Sequence, residues 1–197
     1  MPELRLGVLA IQGGFEAHCE VLRELGAEVS EVRVPADLER LDGLVIPGGE
    51  STTISMGIES AALEEPIRAL HRAGGTIFGT CAGMIVCDEA HLGLIDATTE
   101  RNAFGRQLQS FEADLEIEGI GDEPLRAIFI RAPWVASRGT EVEVLANYEG
   151  HPVAIRDGSV LACAFHPELT DDPRLHALFM AMTTSAQENR AREEAET

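Results

Sequence analysis

The stretch Thr76-Ile77-Phe78-Gly79-Thr80-Cys81-Ala82-Gly83 decides the fold. Thr76–Phe78 carries the β-branched and aromatic side chains of a strand, and a helical run to about Glu89 follows Cys81. Between them stands Gly-x-Cys-x-Gly, a nucleophile elbow with cysteine in place of serine. A turn this tight needs small flanking residues, because a side chain at Gly79 or Gly83 would clash. It also places Cys81 at a helix N-terminus, where free N–H groups and the helix dipole favour the thiolate, the nucleophilic form. The bland alternative is a small buried cysteine in a strand–helix turn.

Working outward, the chain alternates strand-like and helix-like runs, which predicts an α/β domain with a mostly parallel sheet. Leu4–Ile11 is a nearly continuous apolar run, as expected of a strand buried on both faces. Phe15–Leu25 has helical apolar spacing and stops at Gly26; Glu28–Val34 and Gly43–Ile46 read as strands. A helix is expected over Leu63–Ala73. The second half reads as strands at Phe111–Ile117, Ala127–Arg131, Val142–Tyr148, Pro152–Ile155 and Val160–Phe165, the last two joined by a hairpin turn at Arg156-Asp157-Gly158-Ser159. Arg174–Ala186 is the expected closing helix. Residues 1–186 thus form one domain, and the charged segment 187–197, which lacks an apolar face, is expected to be a frayed, flexible tail.

A thiolate nucleophile needs a proton shuttle for the leaving group. His166, in Phe165-His166-Pro167-Glu168, follows a strand directly, and Pro167 biases it toward extended backbone. In extended chain, positions i and i+2 share a face, so Glu168 can sit beside the His166 ring and fix its tautomer. His18, His71, His91, His151 and His176 have no such setting and read as solvated or structural. A third feature is Pro47-Gly48-Gly49-Glu50-Ser51-Thr52, where adjacent glycines at a strand end let backbone N–H groups approach a ligand closely. For acyl transfer the donors to the developing oxyanion would be the N–H groups of Gly49 and Ala82. A phosphate cradle is the rival use, but neither Gly-Lys-Ser/Thr nor Gly-x-Gly-x-x-Gly occurs here.

A chain of 197 residues suits one α/β domain. Fifteen basic residues, all arginine, stand against 34 acidic ones, a net charge of −19 that would repel nucleic acid and anionic membranes. The acidic, lysine-free composition fits either a high-salt cytoplasm or GC-rich coding. No run approaches a membrane span and no signal-peptide pattern is visible, so a cytoplasmic protein is expected. Cys19, Cys87 and Cys163 match no zinc or redox spacing and read as reduced, buried, apolar residues.

Phe78-Gly79-Thr80-Cys81-Ala82-Gly83 together with His166-Pro167-Glu168 resembles the class I triad glutamine amidotransferases. One branch is matched further by Leu9-Ala10-Ile11-Gln12-Gly13, Pro47–Thr53, Glu100–Gln107, Ser110–Asp114, Phe129–Pro133 and Phe165–Thr170: the glutaminase subunit of pyridoxal 5′-phosphate synthase. The resemblance spans about Leu6 to Met182. It implies a three-layer αβα glutaminase with Cys81 as nucleophile, completed by His166 and Glu168, and glutamine contacts from Gly49, Glu50, Ser51, Arg101, Ile130 and Arg131. Arg101 suits a substrate carboxylate chemically. It implies no metal or organic cofactor, and a barrel-shaped synthase subunit that receives the ammonia. It also suggests that Gln12 holds or signals through the Gly48-Gly49 turn, whose peptide can reorient at little steric cost. The segment from Cys81 to His91-Leu92-Gly93-Leu94 is shorter than this branch usually has. Rival readings are an amidotransferase feeding another acceptor, a regulatory protein on the same scaffold, and a cysteine peptidase.

Overall fold

The computed structural model describes residues 4–104 and 110–195. Its central sheet has seven strands in the order β2-β1-β3-β4-β11-β10-β9. These are β1 (Arg5–Leu9), β2 (Glu28–Val32), β3 (Gly43–Ile46), β4 (Thr76–Thr80), β9 (Glu143–Tyr148), β10 (His151–Asp157) and β11 (Val160–Cys163). From β2 through β11 all neighbours are parallel; β10 and β9 then add an antiparallel edge. Two antiparallel ribbons, β5 (Ala97–Glu100) with β8 (Trp134–Arg138) and β6 (Ser110–Leu115) with β7 (Leu125–Ile130), stand beside it. The helices are α1 (Phe15–Glu24), α2 (Ser51–Ser60), α3 (Glu64–Arg72), α4 (Ala82–Cys87) and α5 (Arg174–Ala195), flanking the sheet as the α/β reading expects.

The apolar runs explain the layering. The central strands β3, β4 and β11 are buried at every residue, whereas the edge strand β2 is mostly exposed. Fully buried Leu6, Val8, Leu44, Ile46, Phe78 and Leu161 form the middle of the core. A second packing centre is aromatic. Phe104, Phe111, Phe129, Trp134 and Tyr148 meet edge-on or stacked, with Phe111 and Phe129 4.6 Å apart and 7° from parallel. This cluster locks β6 and β7 to β9 and to the chain that follows β5.

Three expectations are corrected. Helix α2 was not anticipated: its run Ser-Thr-Thr-Ile-Ser-Met-Gly-Ile-Glu-Ser has weak apolar spacing and starts because the Glu50 carboxylate accepts the Thr52 and Thr53 N–H groups at 3.2 and 2.7 Å. The pairing of β5 with β8 was missed because it joins segments far apart in sequence. The closing helix does not stop at Ala186 but continues to Ala195. Three contacts hold its last turns: Gln187 and Arg190 both reach the buried carboxylate of Asp42 at the foot of β3, and Arg190 also donates to the Gly74 carbonyl. No described helix is long and apolar enough to cross a membrane.

Arg190→Ala should therefore lower unfolding free energy by about 1–2 kcal/mol, because it strips donors from a buried carboxylate and a carbonyl. Urea denaturation measures this; an unchanged midpoint would show that the last turns of α5 carry no stability.

Candidate active site

Four adjacent parallel strands, β1, β3, β4 and β11, end on the same edge of the sheet, and each delivers one part of the site there. After β4 the chain reverses at Cys81, whose φ of +49° and ψ of −109° are unusual for a side-chain-bearing residue, and enters α4. A Cβ at Gly83 would come 1.9 Å from the Ile46 carbonyl oxygen, and one at Gly79 2.7 Å from that of Gly83. The expected steric need for glycine on both sides of the cysteine is met at full strength. Helix α4 has only six residues, so whatever it offers an anion comes from its first N–H groups more than from a long dipole.

After β11, His166 sits at φ −108° and ψ 86°, short of extended backbone, and Pro167–Leu169 coil into a 3-10 turn. The pairing of His166 with Glu168 occurs as expected, at 2.7 Å from Nδ1 to Oε1, but this turn brings it about rather than strand alternation. Burial works against a charged His166; its interactions with Cys81 and Glu168 outweigh that and push its pKa up to about 10. Burial also works against ionised Glu168, yet the bond from His166 and the nearby His18 hold its carboxyl below the usual range. The Cys81 thiol donates to the Ile130 carbonyl at 3.7 Å. The other thiols point elsewhere: burial pushes those of Cys19, Cys87 and Cys163 up.

After β3 comes the glycine turn. The Gly48 N–H donates to Thr80 Oγ1 at 3.1 Å, and the Gly48 carbonyl accepts from the Gly14 N–H at 3.2 Å. Gln12, from the end of β1, accepts the Glu50 N–H at 2.8 Å, so it does hold this turn. A side chain at either glycine would displace a neighbour in the site. A Cβ on Gly48 would lie 2.5 Å from His166 Cε1, and one on Gly49 2.4 Å from Gln12 Oε1.

These parts open onto one cavity of about 320 Å³. Cys81, Ala82 and His166 form its floor, Gln12 and Gly49–Ser51 one wall, and Arg101, Ile130 and Arg131 the other. Gly48 and Glu168 lie behind that lining. A neighbouring cavity of about 260 Å³ shares Arg101 but contains neither Cys81 nor His166. Arg101 donates to Thr52 Oγ1 at 3.2 Å and stands 3.4 Å from His91 Nε2. Gly105, Arg106 and Gln107, the end of the matched segment Glu100–Gln107, lie outside the described residues. Among the described residues no group of His, Cys, Asp and Glu side chains is arranged to hold a metal ion.

Sequence reasoning missed Ile85, Asn102 and Pro133 in the lining, and more importantly His18 and His176. Both histidines are fully buried rather than solvated. His18 Nε2 is 3.3 Å from Glu168 Oε2, and its Nδ1 is 2.9 Å from His176 Nε2. The available signal was position. His18 falls three after Phe15 and four before Leu22, on the apolar face of α1.

The profile of the SNO glutamine amidotransferase family matches residues 8–185. The chain belongs to this family. Proteins named pyridoxal 5′-phosphate synthase subunit PdxT are similar to it throughout. That of Frankia alni is 49% identical over 191 residues, covering 92% of this chain and 96% of the relative. That of Mycobacteroides abscessus is 51% identical over 186 residues, covering 90% and 96%. A solved glutamine amidotransferase shares 46% identity at a TM-score of 0.84, covering 91% of this chain and 98% of its own. A Thermoplasma acidophilum structure described as a GMP synthase subunit, only 19% identical, shares the fold at a TM-score of 0.77.

The histidines give opposite pH dependences. Burial lowers His18 from 6.5 to about 4 and His176 to about 3, so the unfolded chain binds protons there that the folded chain refuses. Their effect is a stability fully present above pH 6.5 and lost as pH falls toward 4. His166, raised to about 10, contributes stability present below 6.5 and lost as pH rises through 10. Melting temperature against pH should peak near neutrality, and His166→Asn should remove part of the alkaline fall. A wild-type curve still climbing toward pH 10 would contradict the assigned charge on His166.

Proposed function

We propose that the chain hydrolyses L-glutamine with Cys81 as nucleophile, His166 as acid and base and Glu168 as its orienting carboxylate, and delivers the ammonia to a pyridoxal 5′-phosphate synthase partner of barrel form. One observation carries the reading: Cys81 is the cysteine that opens into a cavity, and it does so beside a histidine whose Nδ1 is held by a buried carboxylate. The geometry assigns each step. With Nδ1 donating to Glu168, His166 Nε2 remains to face Cys81, and its raised pKa keeps a proton on the ring for the leaving group. The thiolate attacks the side-chain amide carbon; a C–S bond forms and the carbonyl π electrons move to oxygen. The oxyanion is received by N–H groups of Ala82, the first residue of α4, and of Gly49. His166 protonates the departing nitrogen, and the C–N bond breaks to release ammonia. Water, deprotonated by His166, then cleaves the thioester to glutamate and restores the thiol.

Substrate binding is assigned to the cavity walls. Arg101 takes the α-carboxylate, while Glu50, Ser51 and the backbone at Ile130 and Arg131 surround the remainder. The relatives named as synthase subunits support the ammonia acceptor, as does their coverage of nearly the whole chain. A net charge of −19 supports an enzyme without nucleic-acid or anionic-membrane partners. A cysteine peptidase is disfavoured because Gly48 and Gly49 with the adjoining Glu50-Ser51 fit an amidotransferase better.

Cys81→Ala should abolish glutamine hydrolysis while leaving the melting transition in place. An electrophilic glutamine analogue should label Cys81 and spare Cys19, Cys87 and Cys163; peptide mapping that finds label elsewhere, with Cys81 unmodified, would sink the assignment.

The isolated chain should be a poor glutaminase that its synthase partner switches on. The Gly48–Gly49 peptide is held by the Gly14 N–H on one side and, through Glu50, by Gln12 on the other, so reorienting it requires those contacts to change. An oxyanion donor is worth about 3–4 kcal/mol in the transition state, so its misalignment suppresses turnover by about a hundredfold or more. Gln12→Ala should weaken activation by partner in a glutamate-release assay. Full activity of the wild-type chain without partner would refute the switch; equal activation of both forms would remove Gln12 from it.

A further inference from the structure

The triad accounts for one oxygen of Glu168. The other, Oε2, is buried and has no hydrogen-bond donor aligned on it among the described residues. His18 Nε2 stands 3.3 Å away. The same nitrogen lies 3.1 Å from Thr80 Oγ1, which also accepts the Gly48 N–H. On its far side His18 Nδ1 meets His176 Nε2 at 2.9 Å, and His176 Nδ1 has no partner. Phe78 meets both rings edge-on, with centroids 6.3 and 5.7 Å away, and walls the pair from solvent.

Of the two proton placements in this relay, the charge on Glu168 selects one. A proton on His18 Nδ1 would leave the Nε2 lone pair facing the Glu168 carboxylate. It would also force the His176 proton onto Nδ1, a buried donor with nothing to receive it. A proton on His18 Nε2 avoids both. It points toward Thr80 and Glu168, Nδ1 accepts from His176 Nε2–H, and the unpartnered His176 Nδ1 is bare. We propose that His18, locked in its Nε2–H tautomer by His176, is a positioning residue for Glu168 and, through Thr80, couples the triad carboxylate to the Gly48 turn. This rests on the triad reading above.

The chemistry explains why histidine serves here. A buried cation would neutralise Glu168 and weaken its hold on His166. Burial keeps both rings uncharged, lowering His18 to about 4 and His176 to about 3, so His18 offers an N–H without discharging the carboxylate. The titratable groups facing His18 are Glu168 and His166 from the segment after β11 and His176 from α5. At 3.3 Å, off the line of a full hydrogen bond, the contact orients Glu168 electrostatically while Thr80 anchors the ring. The coupling has a second end. Thr80 immediately precedes Cys81, and its hydroxyl fixes the Gly48 N–H. A disturbance at His18 therefore reaches both the carboxylate and the turn carrying the oxyanion donor.

The test compares His18→Asn, whose shorter amide can meet His176 but not Glu168, with His18→Gln, whose amide reaches the position of Nε2. Glutamine hydrolysis is followed with the synthase partner present from about pH 5 to about pH 11. His18→Asn should lower kcat by about 10- to 100-fold with KM within about twofold. It should also move the alkaline limb of kcat/KM down by about one pH unit, because a misaligned Glu168 no longer holds the proton on His166. His18→Gln should recover most of both effects. A merely structural His18 would lower the melting temperature and leave the limb in place, and that result overturns the proposal. Should His18→Asn not fold, imidazole nitrogen chemical shifts of the wild-type chain decide: His18 protonated at Nδ1, or charged at neutral pH, overturns it. Cys81→Ala separates the two readings. If it stays active, the triad assignment falls and the role of His18 with it. If it is dead while His18→Asn keeps a wild-type rate and profile, only the role of His18 falls.

Discussion

The structure depends on one steric constraint, the closeness with which the β4–α4 reversal packs against the end of β3. Gly83 sits so near the Ile46 carbonyl that a single added carbon would fall at 1.9 Å. That contact sets the height of Cys81 above the sheet and brings the chain leaving β3 against the nucleophile. The Gly48–Gly49 turn then has no room for side chains, since His166 lies over one glycine and Gln12 over the other. Gly13 faces the same crowding, with φ at +101° and a hypothetical Cβ 1.8 Å from the Gly48 oxygen. Loops from three parallel strands thus press backbone against backbone at Gly13–Gly48 and Gly83–Ile46. Backbone N–H groups can reach a developing oxyanion only where no side chain intervenes.

Such packing stores strain. Six described non-glycine residues have positive φ, and three of them, Cys81, Asn102 and Arg131, line the same cavity. Each costs on the order of 1–3 kcal/mol and persists only where its surroundings over-determine it. Cys81 is held by the elbow and by its N–H bond to the Cys163 carbonyl at 2.8 Å. Arg131 directly follows β7, which the aromatic cluster fixes through Phe129, and Asn102 precedes Phe104 of that cluster. The stacked rings, far from the thiol, therefore set where the two arginines of the cavity stand.

How much of this was legible follows from how local each signal is. The elbow, the glycine turn and His166-Pro167-Glu168 are short motifs whose residue types follow from sterics and proton transfer, so Cys81, His166 and Gly49 could be read directly. Parallel strands announced themselves as continuous apolar runs. What resisted reading was set at a distance. Helix α2 begins through a glutamate cap that composition does not advertise, and α5 extends past Ala186 because Asp42, far away in sequence, receives Arg190 and Gln187. His18 and His176 are separated by 158 residues, and nothing local marks them as partners. His18 was still visible as an interruption of an apolar stripe. A polar residue on a buried helix face asks what satisfies it, and here the answer leads to the triad.

The cavity also resolves a conflict of charge. A chain at −19 must bind an amino acid whose own carboxylate is negative. The arginines at 101 and 131 supply local positive charge, and the one carboxylate in the wall is turned away. Glu50 spends its oxygens on the Thr52 and Thr53 N–H groups and the Thr53 hydroxyl, bonds that hold its pKa below the usual carboxylate range. Arg101 is oriented by a relay resembling that of the triad. Asp88, itself buried, takes His91 Nδ1 at 2.6 Å and Thr99 Oγ1 at 2.6 Å, leaving His91 Nε2 to face the guanidinium. In both relays a buried carboxylate fixes a histidine through Nδ1 and so decides what its Nε2 can do. In the proposed mechanism the His166 ring carries a proton toward the leaving group. At His91 the ring faces the Arg101 guanidinium at 3.4 Å. Two acidic residues thus build a site suited to an anion, because each is buried behind an imidazole.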